Sequence, residues 1–288
     1  MIEARNMITQ RHLKALIACT GITVLAVCAL FLVQHATEKP EAHILSHDAP
    51  LDALRRGRVV LSLSSAMVTL RAGPPEEPLR VESTFDPDVY TLAHRYEEDG
   101  NGDWTYDLEF HEQRLLHVSV IGVWLGKRSP EVTVVIPAEL PFDLEATMKG
   151  GHLVMDFANL ALSTADVELD RGVLQIFVSE PMGTPMEQLM VRSKTGTMRL
   201  GSIGNASPGR LDVSHRLGAA RVDLRGRWRT DADITFRSAF SDGELQLPSN
   251  VTINGLGLPL DVFPEQEIPL PTLSIGTRSS VGDIRVTY

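Results

Sequence analysis

Beyond position 28 the sequence holds no cysteine; the two it has, Cys19 and Cys28, both lie in one apolar run near its start. This excludes disulfides and thiolate-ligated zinc from the rest of the chain. Aromatic residues are also scarce, at 6% against an apolar content of 43%, and 17 prolines are scattered along the chain. That balance disfavours a helical bundle and suits short strands joined by turns. Positive charge is in short supply, with 27 Lys and Arg against 37 Asp and Glu. Arg5, Arg11 and Lys14 outweigh Glu3 within residues 1–33, which leaves −12 of the formal −10 on the remainder. So acidic a body disfavours nucleic acid and anionic lipid headgroups as partners. The sequence has no P-loop, no G-x-S-x-G and no dinucleotide fingerprint. No catalytic, cofactor-binding or metal residue is assigned, and the expectation is a non-enzyme without cofactor.

Long hydrophobic runs are missing too, with one exception. "ALIACTGITVLAVCALFLV", residues 15–33, carries no charge over 19 residues. As a helix it reaches about 28 Å, close to the hydrocarbon thickness of a bilayer. Signal peptides have shorter apolar cores and a small-residue cleavage site, which "VQHATEKP" does not offer cleanly. The segment is therefore expected to be a retained transmembrane helix. Three basic residues precede it and only Lys39 follows within the next 20, which places the N-terminus in the cytoplasm. Residues 1–14 are then a cytoplasmic tail, 34–54 a polar tether, and 55–288 an extracytoplasmic body.

What the body does have is a recurrent glycine. Gly151, Gly172, Gly196, Gly218, Gly243 and Gly282 are each followed at +2 and +4 by apolar residues, as in Gly172-Val-Leu174-Gln-Ile176. Upstream of each lies another alternating pair: Leu144/Ala146, Val167/Leu169, Leu189/Val191, Leu211/Val213, Ile234/Phe236 and Leu273/Ile275. These pairs start 23, 22, 22, 23 and 39 residues apart. Apolar residues two apart line one face of a strand, and a fixed period of this length marks a stacked array. The predicted fold is all-β: a short β-solenoid-like stack of about six two-strand rungs, each turning at its glycine. Repeats occupy 131–254 and 273–288, with an irregular β region over 55–130. A proline-rich insertion, "GLGLPLDVFPEQEIPLPT", fills 255–272, where its prolines bar continuous ladder bonding and its apolar residues are expected to pack on something, as a cap on the sheet edge ahead of a docking segment for a partner.

The stretch "GRLDVSHRLGAARVDLRGRWRTDADITFRSAFSDGELQLPSNVTI", residues 209–253, joins two glycine rungs through "LRGRW" and "DADI". With "GGHLVMDFANLAL" and "DRGVLQIFVSE" before it, this pattern resembles the toastrack-type bacterial β-repeat domains of adhesin-like and LiaF-like cell-envelope proteins. The resemblance covers roughly 131–253. It implies a repeat body held near a bacterial membrane, acting through contacts rather than turnover, with a protein or glycan partner at the envelope. It supplies no catalytic residue. A sensor of envelope stress working through a second membrane protein is the alternative, and a glycan-active β-helix enzyme a weaker one.

Candidate chemistry is thin. "EEDGNGDW", residues 97–104, spaces Asp99, Asn101 and Asp103 like the opening of a calcium loop, but Trp104 and Phe110 stand where glycine and glutamate are needed. A polar turn is expected. His111 and His117 are six apart and do not form a zincin pair. His152 and His215 are expected at the surface or as satisfied core histidines. Asp156, Glu168, Asp170, Asp212 and Asp223, with Arg199, Arg221 and Arg225, fall at outward strand positions as a solvated charged face or a reader of glycan or strand. Asn205 and Asn250 begin glycosylation sequons, which have meaning only in a eukaryotic source.

Overall fold

A computed structural model describes residues 41–47, 56–99, 102–113, 129–256 and 270–288. The expected membrane helix at 15–33, most of the tether, His117 and most of the proline-rich insertion lie outside the described residues. Among the described residues no helix is long and apolar enough to cross a membrane. The chain divides into two units, one of residues 1–41 and 120–128, the other of 42–119 and 129–288. The second unit holds the sheet.

It is built from strands β1 (Glu41–His47), β2 (Gly57–Gly73), β3 (Leu79–Phe85), β4 (Tyr90–Glu98), β5 (Trp104–Glu112), β6 (Glu131–Pro137), β7 (Phe142–Asp156), β8 (Leu162–Phe177), β9 (Gln188–Gly201), β10 (Arg210–Asp223), β11 (Ala232–Gln246), β12 (Thr252–Asn254), β13 (Thr272–Val281) and β14 (Ile284–Thr287). All belong to one sheet, in which β2, β7, β8, β9, β10, β11 and β13 follow one another as parallel neighbours. What the sequence predicts as two strands joined by a turn is one long strand bent at its glycine. The bend separates an upstream arm from a downstream arm, and each arm alternates buried and exposed positions.

The bends lie in register. Ala66, Gly151, Gly172, Gly196, Gly218 and Ser241 pair in succession. Gly196 shows why glycine recurs. Its φ is +129°, and a Cβ built on it would lie 1.9 Å from the carbonyl oxygen of Gly172 in the preceding rung. The backbone of one rung thus occupies the place where the next rung's side chain would be. Glycine meets both demands, positive φ and close approach.

Upstream of the bend, Val59, Leu144, Ala165, Leu189, Leu211, Ile234 and Ile275 form one inward row, all 3% exposed or less. Leu61, Ala146, Val167, Val191, Val213 and Phe236 form the next, all fully buried. Downstream, Leu70, Met155, Ile176, Leu200, Val222 and Leu245 make a third. At about 1.5–3 kcal/mol for each fully buried aliphatic side chain, these rows dominate the stability. A rung alone would leave both faces wet, which is why it folds only in the stack.

Three details differ from the sequence reading. The regular ladder begins one strand earlier, because β2 within the supposedly irregular region pairs with β7 along nearly its whole length, from Gly57↔Phe142 to Leu70↔Met155. Alanine at its bend hides it from a glycine count. In β11 the position in register with the bends is Ser241, not Gly243; there the Ser238 hydroxyl donates to the Ser241 carbonyl at 2.8 Å and lies 2.6 Å from its hydroxyl. Finally, Val167 pairs with Val191, and Leu169 faces Ser193, so Ala165 takes the place in the outermost inward row that Val167 was expected to fill.

The connections close the third side. Phe157, Val178, Ile203, Leu224 and Leu247 are buried there, and Phe157 N–H, Val178 N–H and Leu224 N–H donate to the carbonyls of Phe177, Gly201 and Gln246. "LRGRW" belongs to this side: Trp228 is buried and donates through Nε1 to the Leu224 carbonyl at 2.7 Å. The Asn205 amide donates to the Val178 carbonyl at 2.8 Å and accepts from Arg227 N–H at 3.0 Å. Its side chain is a structural bridge, so this sequon is not free to carry a glycan.

The two ends of the stack are unlike. At the first, β5 and β6 both pair with β2, β4 folds back on β5, and β3 pairs with β6. Tyr90 stacks on Phe110 with centroids 5.1 Å apart, and Phe85 meets the same ring edge-on at 5.5 Å. The acidic "EEDGNGDW" segment is the β4–β5 turn, in which Asp99 N–H donates to the Asp103 carbonyl at 2.9 Å. At the other end, β12 covers only Thr272, Leu273 and Ser274 of β13.

Candidate binding surface

Charge on the outer face of the upstream arms changes along the stack. Near its start, acid and base match between rungs. Arg56 holds Asp143 through two contacts of 2.7 Å. Burial alone would raise the Asp143 pKa, but the guanidinium and the Thr164 hydroxyl at 2.6 Å overcome it and hold the carboxyl below its ordinary value. Arg58 pairs with Glu145. On β8, Asp166, Glu168 and Asp170 face Arg192 and Lys194 of β9: Arg192 lies 2.8 Å from Asp166 and 3.2 Å from Glu168, and Lys194 lies 2.9 Å from Glu168 and 2.6 Å from Asp170. The Lys194 bond, aided by Arg192, lowers the Glu168 pKa against the effect of burial. Exposed pairs of this kind contribute about 0–1 kcal/mol each, so they match rungs more than they hold them together.

Past β9 the matching stops. The row through Glu168 and Arg192 continues as Ser214, Arg237 and Arg278. Arg216 stands on the same face of β10. All three arginines are exposed, and among the described residues none makes an ion pair. Beside them, immediately before the bend, runs the row Ser65, Gly150, Arg171, Thr195, Leu217, Phe240 and Val281. Its last three members are large, apolar and exposed, at 50%, 55% and 58%. With rungs about 4.8 Å apart, they form a strip some 10 Å long. A protein of net charge −10 thus carries one local patch that is basic and apolar.

The outward residues named from the sequence do not converge. Glu168, Asp170 and Asp212 lie on the upstream arms, Asp212 against Arg210 at 2.7 Å. Asp156, Arg199, Arg221 and Asp223 lie on the downstream arms, with Arg221 2.8 Å from Glu244. Arg225 stands on the connecting side and pairs with Asp223 at 2.8 Å. The two faces meet only at the bend, so these groups form no common site. Sequence reading missed Leu217, Phe240 and Val281. The available signal is the residue before each bend, which changes from small or polar to apolar along the repeats. A shallow groove of ≈ 410 Å³ lies near the start of β11 and β13, lined by Asp233, Thr235, Asn254, Gly255, Ser274 and Gly276, about 20 Å along β13 from Val281, and another of ≈ 510 Å³ lies at the acidic end of β4 and β5.

His152 is exposed, as expected. His215 departs from expectation: it is 1% exposed, and neither ring nitrogen meets a partner in hydrogen-bonding geometry. It sits in the third inward row of the upstream arms between Ser193 and Ser238. Burial lowers its pKa, and the Ser193 backbone beside the ring offsets this only in part. A histidine more easily protonated when unfolded favours the folded state fully above about pH 6.5 and withdraws that contribution as pH falls below it. The depressed carboxylates Asp143, Glu168 and Asp223 lose theirs only as pH falls below about 4. Between about pH 6.5 and 4.5 the denaturation midpoint is therefore expected to fall in the native chain and to stay nearly level in His215→Leu; an equal slope in both would refute the assignment.

No protein-family model matches the chain, and no curated protein matches it. Among solved structures it is similar to a "putative cell adhesion protein" from Clostridium sporogenes ATCC 15579, at 12% identity and a TM-score of 0.51, over 86% of this chain and 99% of that one. The likeness is one of fold. It makes the body an adhesin-like β-fold and assigns no residue a role. A second structure, described as a "putative lipid binding protein" from Parabacteroides distasonis ATCC 8503, aligns at 11% identity and a TM-score of only 0.24, over 88% of this chain and 98% of that one, and carries no argument.

Proposed function

We propose that this chain is a non-enzymatic binding or scaffolding module of the bacterial cell envelope. In this reading residues 15–33 anchor it in the inner or plasma membrane with the N-terminus in the cytoplasm, and the β-repeat body of toastrack type works outside as a contact surface for a protein or glycan partner. The observation that carries the reading is the strip of Leu217, Phe240 and Val281 beside Arg216, Arg237 and Arg278. Apolar side chains half exposed on three successive rungs contribute nothing to the core, and contiguous exposed apolar surface marks interaction sites. The adhesin-like fold supports it.

A photo-crosslinking amino acid at position 240 tests this in envelope fractions, with position 183 as control, where an added side chain would meet nothing within 4 Å. A discrete adduct is expected at 240 and not at 183, and it should disappear in Leu217→Ser/Val281→Ser. Those exposed substitutions are expected to leave stability within about 0.5 kcal/mol. Equal labelling at 240 and 183 would remove the reading.

A further inference from the structure

The last rung is half a layer. β13 pairs with β11 from Leu273 to Val281, but on its other side only Thr272, Leu273 and Ser274 are paired, with β12. At Gly255, where φ is +107°, the backbone still lies against β13, since an added Cβ would be 2.5 Å from the Ile275 carbonyl oxygen; the strand pairing itself ends at Asn254. From Ile275 to Val281 the edge therefore carries unpaired backbone donors and acceptors among the described residues. The inward positions tell the same story. Phe236 and Ser238 of β11 are 0% and 3% exposed, while Thr277 and Ser279, their neighbours on β13, are exposed because no rung covers them. Edges of this length are ordinarily blunted or covered.

Resting on the binding-module reading, we infer that the Ile275–Val281 edge of β13 receives an extended acidic segment of a partner protein as an added strand. The unpaired backbone groups would hold its main chain, as in other cases of strand addition. Its inward side chains would cover Thr277 and Ser279, and an apolar residue at the bend would extend the strip of Leu217, Phe240 and Val281. Charge selects the sequence. Arg237 and Arg278 are neighbours in one row with no carboxylate between or beyond them among the described residues, whereas on β8 and β9 the same row sets Glu168 against Arg192. A glutamate in the added strand restores that match. Two copies pairing through this edge would instead bring two arginine rows together, and a lipid surface would leave the backbone groups unmet.

The test uses the full chain in detergent and two fluorescent peptides, Val-Thr-Val-Glu-Ser-Glu-Leu-Thr and the same sequence with lysine for each glutamate. The acidic peptide is expected to bind, to slow amide exchange across 275–281 and nowhere else in the body, and to weaken as salt rises. Arg237→Glu/Arg278→Glu should lose at least about tenfold in affinity for the acidic peptide and gain preference for the lysine peptide. The inference falls if the native chain does not distinguish the peptides, or if protection appears elsewhere. It also falls if the reversal leaves the preference unchanged, or if phosphatidylglycerol vesicles or self-association displace the acidic peptide. If it falls while position 240 still gives its specific adduct, the binding-module reading stands and only the mode of recognition is lost; if that adduct is also missing, both fall.

Discussion

Gly196→Ala is expected to destabilise the protein by about 4 kcal/mol or more, at the far end of what single substitutions do. Two costs combine. A φ of +129° lies in a region that side-chain-bearing residues adopt only under strain, of order 1–3 kcal/mol. The new methyl would also overlap the Gly172 carbonyl oxygen, which lies 1.9 Å from the Cβ position. That oxygen is main chain in a paired rung and cannot swing aside as a flexible side chain would. Relief requires spreading β8 from β9, which exposes the inward rows on both. Denaturant titration measures the effect, and Gly183→Ala on an exposed loop, with nothing within 4 Å, serves as the control expected to change little. A loss at Gly196 no larger than at Gly183 would mean the bend does not hold the stack in register.

The second large effect is expected at Phe236, fully buried in the inward row of β11. Phe236→Ala should cost about 3–5 kcal/mol, combining lost transfer energy with a cavity. Its ring extends across the core into the space left by Gly243, where an added Cβ would come within 2.9 Å of the ring. Gly243→Ala alone should therefore cost about 1–3 kcal/mol by overpacking. With Phe236→Leu in the same chain the methyl gains room, so the double substitution should cost less than the sum of the singles, by about 0.5–3 kcal/mol. Strict additivity in a double-mutant cycle would show that ring and glycine do not share that volume.

Much of this fold is legible because the chain repeats a local requirement. Gly151, Gly172, Gly196 and Gly218 are each forced by the backbone of the rung before, so in those four repeats the bend is written into the sequence as a glycine. β2 escapes notice because Ala66 is the first bend, where no earlier glycine carbonyl stands in the way. Ser241 escapes because it stands in the bend row without a positive φ and so needs no glycine, while the nearby Gly243 answers a different need, space for Phe236. The charged residues proposed as columns were correctly read as outward, yet alternation alone does not say which arm's outer face they join.

The binding surface was the least legible part. Leu217, Phe240 and Val281 are separated by 23 and 41 residues in the chain, and each looks like one more apolar residue beside a bend. Only the ladder puts them side by side, and only its register sets the arginines beside them opposite residues that carry no carboxylate. By itself the sequence determined the period, the alternation and the bending points, because these are set by steric and solvation demands within one or two residues. The tertiary structure alone decided the register between rungs and the order in which the described strands stack, because both depend on backbone pairing between segments far apart in the chain.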